Sequence, residues 1–579
     1  MKKIPFLLIV IIAASCGAAG IHFTVHNPKK AGKYPKRTQA IELMGNQESK
    51  YRTCFDATYY KLDVSFGKNI ETDHSISGTV AMNAVCVSDF DTLQIDLAKN
   101  MNCISIHKAD ISSSGETPED ELKFYRREGA MFVLFPKTVH KGETFGLIIS
   151  YNGTPLEAKR PPWAGGFVWK KDDLGNPWDG VACETEGASL WWPCKDVVND
   201  EPDSADMSFT VPDNLVAVSN GRLVSRAHAD EAAGMKTFDW HVSYPINLYD
   251  ITFYIGKFKL LHDIYVSPVT HDTLQLNHYV LEQHYDKAKT QFAQLKDYLA
   301  FYEQTYGPYP WYRDGFKLVE SPYEGMEHQT AIAYGNGFKN DEQWGFDYII
   351  LHETAHEWWG NSVTAYDLGD GWLHEGFATY TEALWVEHKF GHDAYERYLL
   401  FDRLFIGNER PVSRPYNIRY FDYHDEDIYM KGTWVLHSLR YVLNDDSLFF
   451  GILHSFYGKY KYSNATSKDF EDLVNEKTGK DYTWFFRQYL YNRFTPELHY
   501  CLKDGYLYYK WEKTADDFVM PAKVEVYGHI GTWLDVNATA VSVGRIPYSG
   551  ERAGVFNDRK FLFKPVEDVA VARLYGKSG

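Results

Sequence analysis

The sequence is short of most features that would tie it to membranes, nucleic acids or a disulfide framework. Its one conspicuous apolar run, Ile4 to Ala14, is too short to cross a bilayer as a helix, and no other stretch is apolar enough to span. Positive charge is in deficit. Against 78 Asp and Glu there are 60 Lys and Arg, a formal net charge of −18. Such a chain has no basic face for phosphates, which excludes nucleic acid as a partner. The acidity itself reads as solubility. Cysteine is scarce, with seven in 579 residues, and no two stand in a CxxC or zinc-knuckle spacing. No internal repeat or low-complexity tract is found. What is abundant is apolar and aromatic material, 44% and 16%, which disfavours disorder. The length suggests about three to four domains.

The N-terminus reads as an address. Lys2 and Lys3 precede the apolar run, and Ala13, Ala14 and Ser15 lead into Cys16. A basic start, a short apolar stretch and a small-residue exit make a secretory signal over residues 1–16. A cysteine directly after the small residues resembles a bacterial lipobox. That resemblance implies a lipidated Cys16, an exported protein of the bacterial cell envelope, and a lipid bilayer as partner, in the periplasm or at the outer membrane. The alternative is an ordinary signal peptide with Cys16 incidental. Residues 17–50 read as a polar spacer. An exported chain permits disulfides, and any two of Cys54, Cys86 and Cys103 could bridge.

Residues 51–262 carry strand signals. Tyr59 to Phe66 and Thr92 to Leu97 alternate, Met131 to Phe135 is a buried-looking run, and Gly, Asn, Asp and Pro clusters separate them. This predicts an N-terminal β saddle or sandwich. Within it, Glu184 to Asp196 packs carboxylates against Trp191 and Trp192. From 263 to 495 the periodicity turns helical, as in Ala288, Phe292, Leu295, Leu299 and Tyr302. From 496 to 579 alternation returns, predicting a small C-terminal β-sandwich. The whole is a multidomain α+β chain.

The chemistry concentrates between Leu351 and Glu382. His352-Glu353-Thr354-Ala355-His356 puts two imidazoles one helical turn apart on one face, within reach of one metal ion. Glu353 beside them is a possible general base. A catalytic zinc takes three protein ligands and keeps one position for water, and Glu375 in Trp372-Leu373-His374-Glu375-Gly376-Phe377-Ala378 is the obvious third. Glu382 lies two helical turns after Glu375. It either orients a ligand histidine or is a plain solvated carboxylate.

HExxH followed by WLHEGFA resembles the gluzincin metallopeptidases, and among them the M1 aminopeptidases. The resemblance covers about residues 50 to 575 and is specific in the zinc stretch. It implies a thermolysin-like, mainly α catalytic domain holding one Zn2+ per chain on His352, His356 and Glu375. It carries further residues with it. Glu327, in Glu324-Gly325-Met326-Glu327-His328, falls at the glutamate of the family's G-x-M-E-N motif, with Gly325 and Met326 along the substrate groove. Here Glu324 replaces the first glycine and His328 the asparagine. Glu184 matches the acid preceding the aromatic-Pro-Cys stretch, and Tyr429 in Tyr429-Met430-Lys431-Gly432 matches the catalytic tyrosine. The implied function is hydrolysis of the N-terminal peptide bond of peptides. Metal-activated water attacks, Glu353 is the base, Tyr429 donates to the oxyanion, and Glu327 and Glu184 hold the free α-amine of the substrate. A metalloendopeptidase and a binding protein with a dead site are the rival readings. Many family members continue into a large α-helical domain, and none is visible here, so a less enclosed site is expected. Oligomeric state is not legible.

Overall fold

The computed structural model describes residues 47–112, 115–184, 186–230, 234–416 and 426–575. The expected signal peptide, Cys16 and nearly all of the spacer lie outside the described residues. No helix among the described residues is long and apolar enough to cross a membrane.

The N-terminal part is built of strands. An eight-stranded sheet runs in the order Arg222–Asp230, Met235–Val242, Ser204–Pro212, Phe55–Phe66, Ile76–Cys86, Thr144–Gly153, Met101–Ser112, Gly115–Glu121. Tyr60, Leu62 and Val64 alternate inward along Phe55–Phe66, as period-two burial requires. A three-stranded and a four-stranded sheet complete this part, and all enclose one core containing Trp191 and Trp192. Cys54, Cys86, Cys103, Cys183, Cys194 and Cys501 are free thiols, so no pair of the first three bridges.

The change of character falls at Lys257. Phe253–Gly256 still belongs to the four-stranded sheet, whereas Phe258–Val266 opens a five-stranded one. The order of the latter is Phe258–Val266, Thr273–Leu281, Leu318–Glu320, Ile332–Tyr334, Gly325–Met326. This sheet divides two cores. Leu318, Ile332 and Tyr334 pack with the helices, while Val319, Ala333 and Met326 pack into the N-terminal β core. It is apolar on both faces where these residues lie, and its two edge strands are Phe258–Val266 and Gly325–Met326.

The helices follow in chain order: α1 (Tyr285–Gln291), α2 (Leu295–Tyr306), α3 (Tyr348–Ala355), α4 (Trp372–Phe390), α5 (His392–Asp402), α6 (Met430–Leu443), α7 (Asp446–Tyr460), α8 (Ser467–Thr478) and α9 (Thr483–Tyr489). In α4 fifteen of nineteen residues are buried, so it is the central helix of this region. Two C-terminal sheets, of four and three strands, share the apolar core of the helices through Leu498, Trp511 and Phe563. They also brace α6. Leu562 N–H donates to Ser438 Oγ at 3.0 Å, and His437 Nε2 lies 2.9 Å from the Arg559 carbonyl oxygen.

Candidate metal centre and active site

Helix α3 begins where Asp347 caps it, its carboxylate accepting from the N–H groups of Ile349 and Ile350. Asp347 also accepts from Tyr334 Oη and from Gln291 Nε2, both at 2.6 Å, so the cap is tied to the sheet and to α1. Ile349, Ile350 and Leu351 then bury the helix, and the face left over carries His352 and His356. The chain turns away at Gly360, whose φ of +124° suits glycine. A methyl there would stand 3.2 Å from His356 Nδ1.

The outer nitrogens decide what the inner ones do. His352 Nδ1 lies 2.7 Å from Glu382 Oε1, and His356 Nδ1 lies 2.9 Å from the carbonyl oxygen of Trp359. Both partners are acceptors, so both Nδ1 atoms carry the proton. In the neutral rings the two Nε2 lone pairs therefore converge, 3.1 Å apart. Glu375 Oε2 lies 3.5 Å from each of them. It is buried with no hydrogen-bond partner. Two imidazole lone pairs and a bare carboxylate oxygen in van der Waals contact repel one another unless a cation or protons lie between them. The two-histidine, one-carboxylate donor set fits zinc.

The electrostatics agree. Burial opposes charge on His356, yet Glu327 and Glu375 push its imidazole up to about 9. His352 is raised well above the usual range against the same burial, by Glu375 and Glu382. Burial would raise Glu375, but the two histidines hold it below the ordinary carboxylate range. Excess negative charge thus keeps protons on the imidazoles, and a dication would displace them. Burial pushes Glu353 up to about 7, with His352 and His356 pulling the other way.

The remaining expected residues gather at this centre. Tyr429 Oη donates to Glu375 Oε1 at 2.7 Å. Fifty-four residues separate the pair, and a close helix crossing brings them together. Gly376 on α4 and Gly432 on α6 touch so closely that a methyl on Gly376 would lie 3.0 Å from Gly432 Cα. Glu327 Oε2 stands 3.6 Å from His356 Nε2, and single oxygens of Glu184, Glu327 and Glu375 all lie within 4.8 Å of one another. Glu382 is no plain solvated carboxylate. It is 8% exposed, and besides His352 it accepts a hydrogen bond from Tyr398 Oη on α5. Gly325 backs Glu353: a methyl on it would lie 2.3 Å from Glu353 Oε1. Met326 turns its side chain into the N-terminal β core and is 3% exposed, so the groove meets its backbone.

Several partners carry no signal in the sequence. Tyr249 Oη donates to Glu327 Oε1 at 2.8 Å, and Asn361 Nδ2 donates to the Glu327 carbonyl oxygen at 2.7 Å. His374 Nε2 accepts the Ala365 N–H at 2.8 Å, which puts the ring proton on Nδ1, 3.9 Å from Glu327 Oε1. Tyr249 lies in the β part, far along the chain, with nothing local to mark it. Asn361 and His374 stand inside the conspicuous stretch and could have been suspected from proximity alone. His328, in place of the motif asparagine, is fully buried against Tyr254 Oη at 2.6 Å.

Residues 290–489 match the Peptidase family M1 domain. Rat endoplasmic reticulum aminopeptidase 1 is 28% identical over 396 residues, covering 63% of this chain and 41% of its own length. Human aminopeptidase B is 24% identical over 429 residues, covering 69% and 62%. The chain thus spans less than two thirds of the length of these relatives. Among solved structures, an M1 zinc metallopeptidase mutant from Deinococcus radiodurans bound to a Tyr-Ser-Ala substrate superposes with a TM-score of 0.65. It is 21% identical, and the match covers 76% of this chain and 95% of that one. That likeness carries the fold.

Proposed function

We propose that this chain, which carries a Peptidase family M1 domain, is a zinc-dependent aminopeptidase that removes N-terminal residues from peptides. The observation that carries the reading is the set of carboxylates beside the three-donor metal site. Glu327 and Glu184 close in on Glu375, and no lysine or arginine forms an ion pair with Glu327 among the described residues. A free α-amine is cationic near neutral pH and would complete that arrangement. An acylated or internal peptide would bring no cation to the buried Glu327 carboxylate, at a cost of kcal/mol scale.

One zinc ion held by His352, His356 and Glu375 would supply Lewis acidity, acidifying water and polarising the scissile carbonyl. Glu353, buried and held in place by the bare Cα of Gly325, takes the proton of the attacking water on its carboxylate and returns it to the leaving amine. Tyr429 swings its hydroxyl from Glu375 Oε1 to the developing oxyanion. Glu382 keeps the His352 proton on Nδ1 and so keeps Nε2 a ligand. Tyr249, Asn361 and His374 orient Glu327. The edge strand Gly325–Met326 offers backbone groups to a peptide lying alongside.

The same proposal extends to location. Lys2, Lys3, the run Ile4 to Ala14 and Cys16 support export and lipid anchoring of Cys16 in a bacterial envelope. Fractionation of the full chain beside Cys16→Ser tests this: the variant should leave the membrane fraction.

The enzyme test compares free-amine aminoacyl fluorogenic amides with their N-acetylated twins, with and without chelator. Chelator-sensitive cleavage of the free-amine set alone is expected. Equal cleavage of both sets would refute the amine anchor and favour an endopeptidase.

A further inference from the structure

The proposed reaction leaves Glu324 without a role, although it adjoins the site. Its place follows from two elements that run side by side. Along the edge strand and the residues flanking it the chain meets Glu327, Gly325 and Glu324; along α3 and its C-cap it meets His356, Glu353 and Tyr348. These pair in order. Glu327 Oε2 lies 3.6 Å from His356 Nε2, Gly325 packs against Glu353 Oε1, and Glu324 Oε1 accepts a hydrogen bond from Tyr348 Oη. Tyr348 stands one helical turn before His352.

A peptide fixed by its α-amine at Glu327, with its first peptide bond at Glu353, must run on toward Glu324. Its second residue, the first of the leaving product, arrives there. Glu324 is half-buried, and no lysine, arginine or histidine pairs with it among the described residues. The Tyr348 phenol holds one oxygen, while the other accepts no hydrogen bond among the described residues. The carboxylate is thus oriented and has capacity left for a ligand.

We propose that Glu324, oriented by Tyr348, recognises the second residue of the peptide and selects a basic side chain over an acidic one. This rests on the reading of Glu327 as the amine anchor. A lysine or arginine at that position brings its cation to the free oxygen; a glutamate or aspartate brings a like charge into a partly desolvated groove, where attraction and repulsion are screened less than in bulk water.

The test uses the zinc-loaded protein and three peptides with the same first residue and lysine, alanine or glutamate second. Release of the first residue is followed by mass spectrometry. The expected kcat/KM order is lysine, alanine, glutamate, with about tenfold between the extremes at low salt and less at high salt. Glu324→Gln should bring the three within about twofold, a neutral side chain having no charge preference. Tyr348→Phe should keep the order but shrink the ratio. Equal rates in the parent protein, or an unchanged ratio in Glu324→Gln, would overturn the proposal. Failure to cleave even the alanine peptide, with zinc bound, would instead remove the aminopeptidase reading beneath it.

Discussion

Replacing Gly325 by alanine puts a methyl group where the Glu353 carboxylate now lies. The added Cβ would stand 2.3 Å from Glu353 Oε1, 3.0 Å from its Cδ and 3.2 Å from Ile349 Cγ2. Ordinary carbon–oxygen contacts begin at about 3.3 Å, so the carboxylate must retreat by about 1 Å. The backbone at Gly325 is not among the positive-φ positions, so alanine brings no conformational strain, only the clash. A base displaced by about 1 Å loses on the order of a hundredfold in rate, or about 2.7 kcal/mol at about 1.36 kcal/mol per decade. The three atoms nearest the new methyl belong to Glu353 and Ile349 and none to His352, His356 or Glu375, so zinc content should hold. The assay is kcat/KM on an aminoacyl fluorogenic amide, with zinc measured on the same sample. Adding Glu353→Asp to Gly325→Ala shortens the acid and should restore part of the loss. A rate within about threefold of the parent at full zinc occupancy, far short of the hundredfold expected, would refute the reasoning. A loss that tracks lost zinc would move the effect from the base to the metal.

Other perturbations follow from the same contacts. Glu382→Ala frees the His352 Nδ1 proton, and zinc affinity should fall about 10–100-fold in chelator competition. Tyr429→Phe should lower kcat by about 10²–10³ with zinc retained, as for removal of one oxyanion donor. Glu327→Gln should cut activity on free-amine substrates and narrow their advantage over N-acetylated ones. Gly432→Ala drives a methyl to 3.0 Å from Gly376 Cα, and the overpacked crossing should cost about 1–3 kcal/mol, read as a lower thermal midpoint together with reduced kcat.

The parts of this protein that a linear reading reaches are those governed by local geometry. Two histidines four apart need only a helix to share a ligand, and Asp347, Ile349, Ile350 and Leu351 make that helix. Alternation in Phe55–Phe66 and helical spacing through α2 are likewise period rules, and they separate the β and α regions. The change of sheet between Phe253–Gly256 and Phe258–Val266 is not legible in the sequence, because a strand on either side of Lys257 looks the same until its sheet partners are known. The choice for Glu382 needed the fold too. In sequence a carboxylate two turns along a helix fits either a ligand-orienting or a solvated role, and only the packing of α3 and α5 against α4 brings His352 and Tyr398 to it.

By itself the sequence pointed to His352 and His356 as donors by their spacing on one helix, to Glu353 beside them, and to Glu375 through the WLHEGFA motif. Tertiary structure alone decided the rest. It buried the Met326 side chain, made Gly325 the seat of Glu353, and brought Tyr249 from the β part to Glu327. It also closed the 54-residue gap between Glu375 and Tyr429 at a contact of two glycines. Each of these is a distance between elements, and such distances are set by how faces pack.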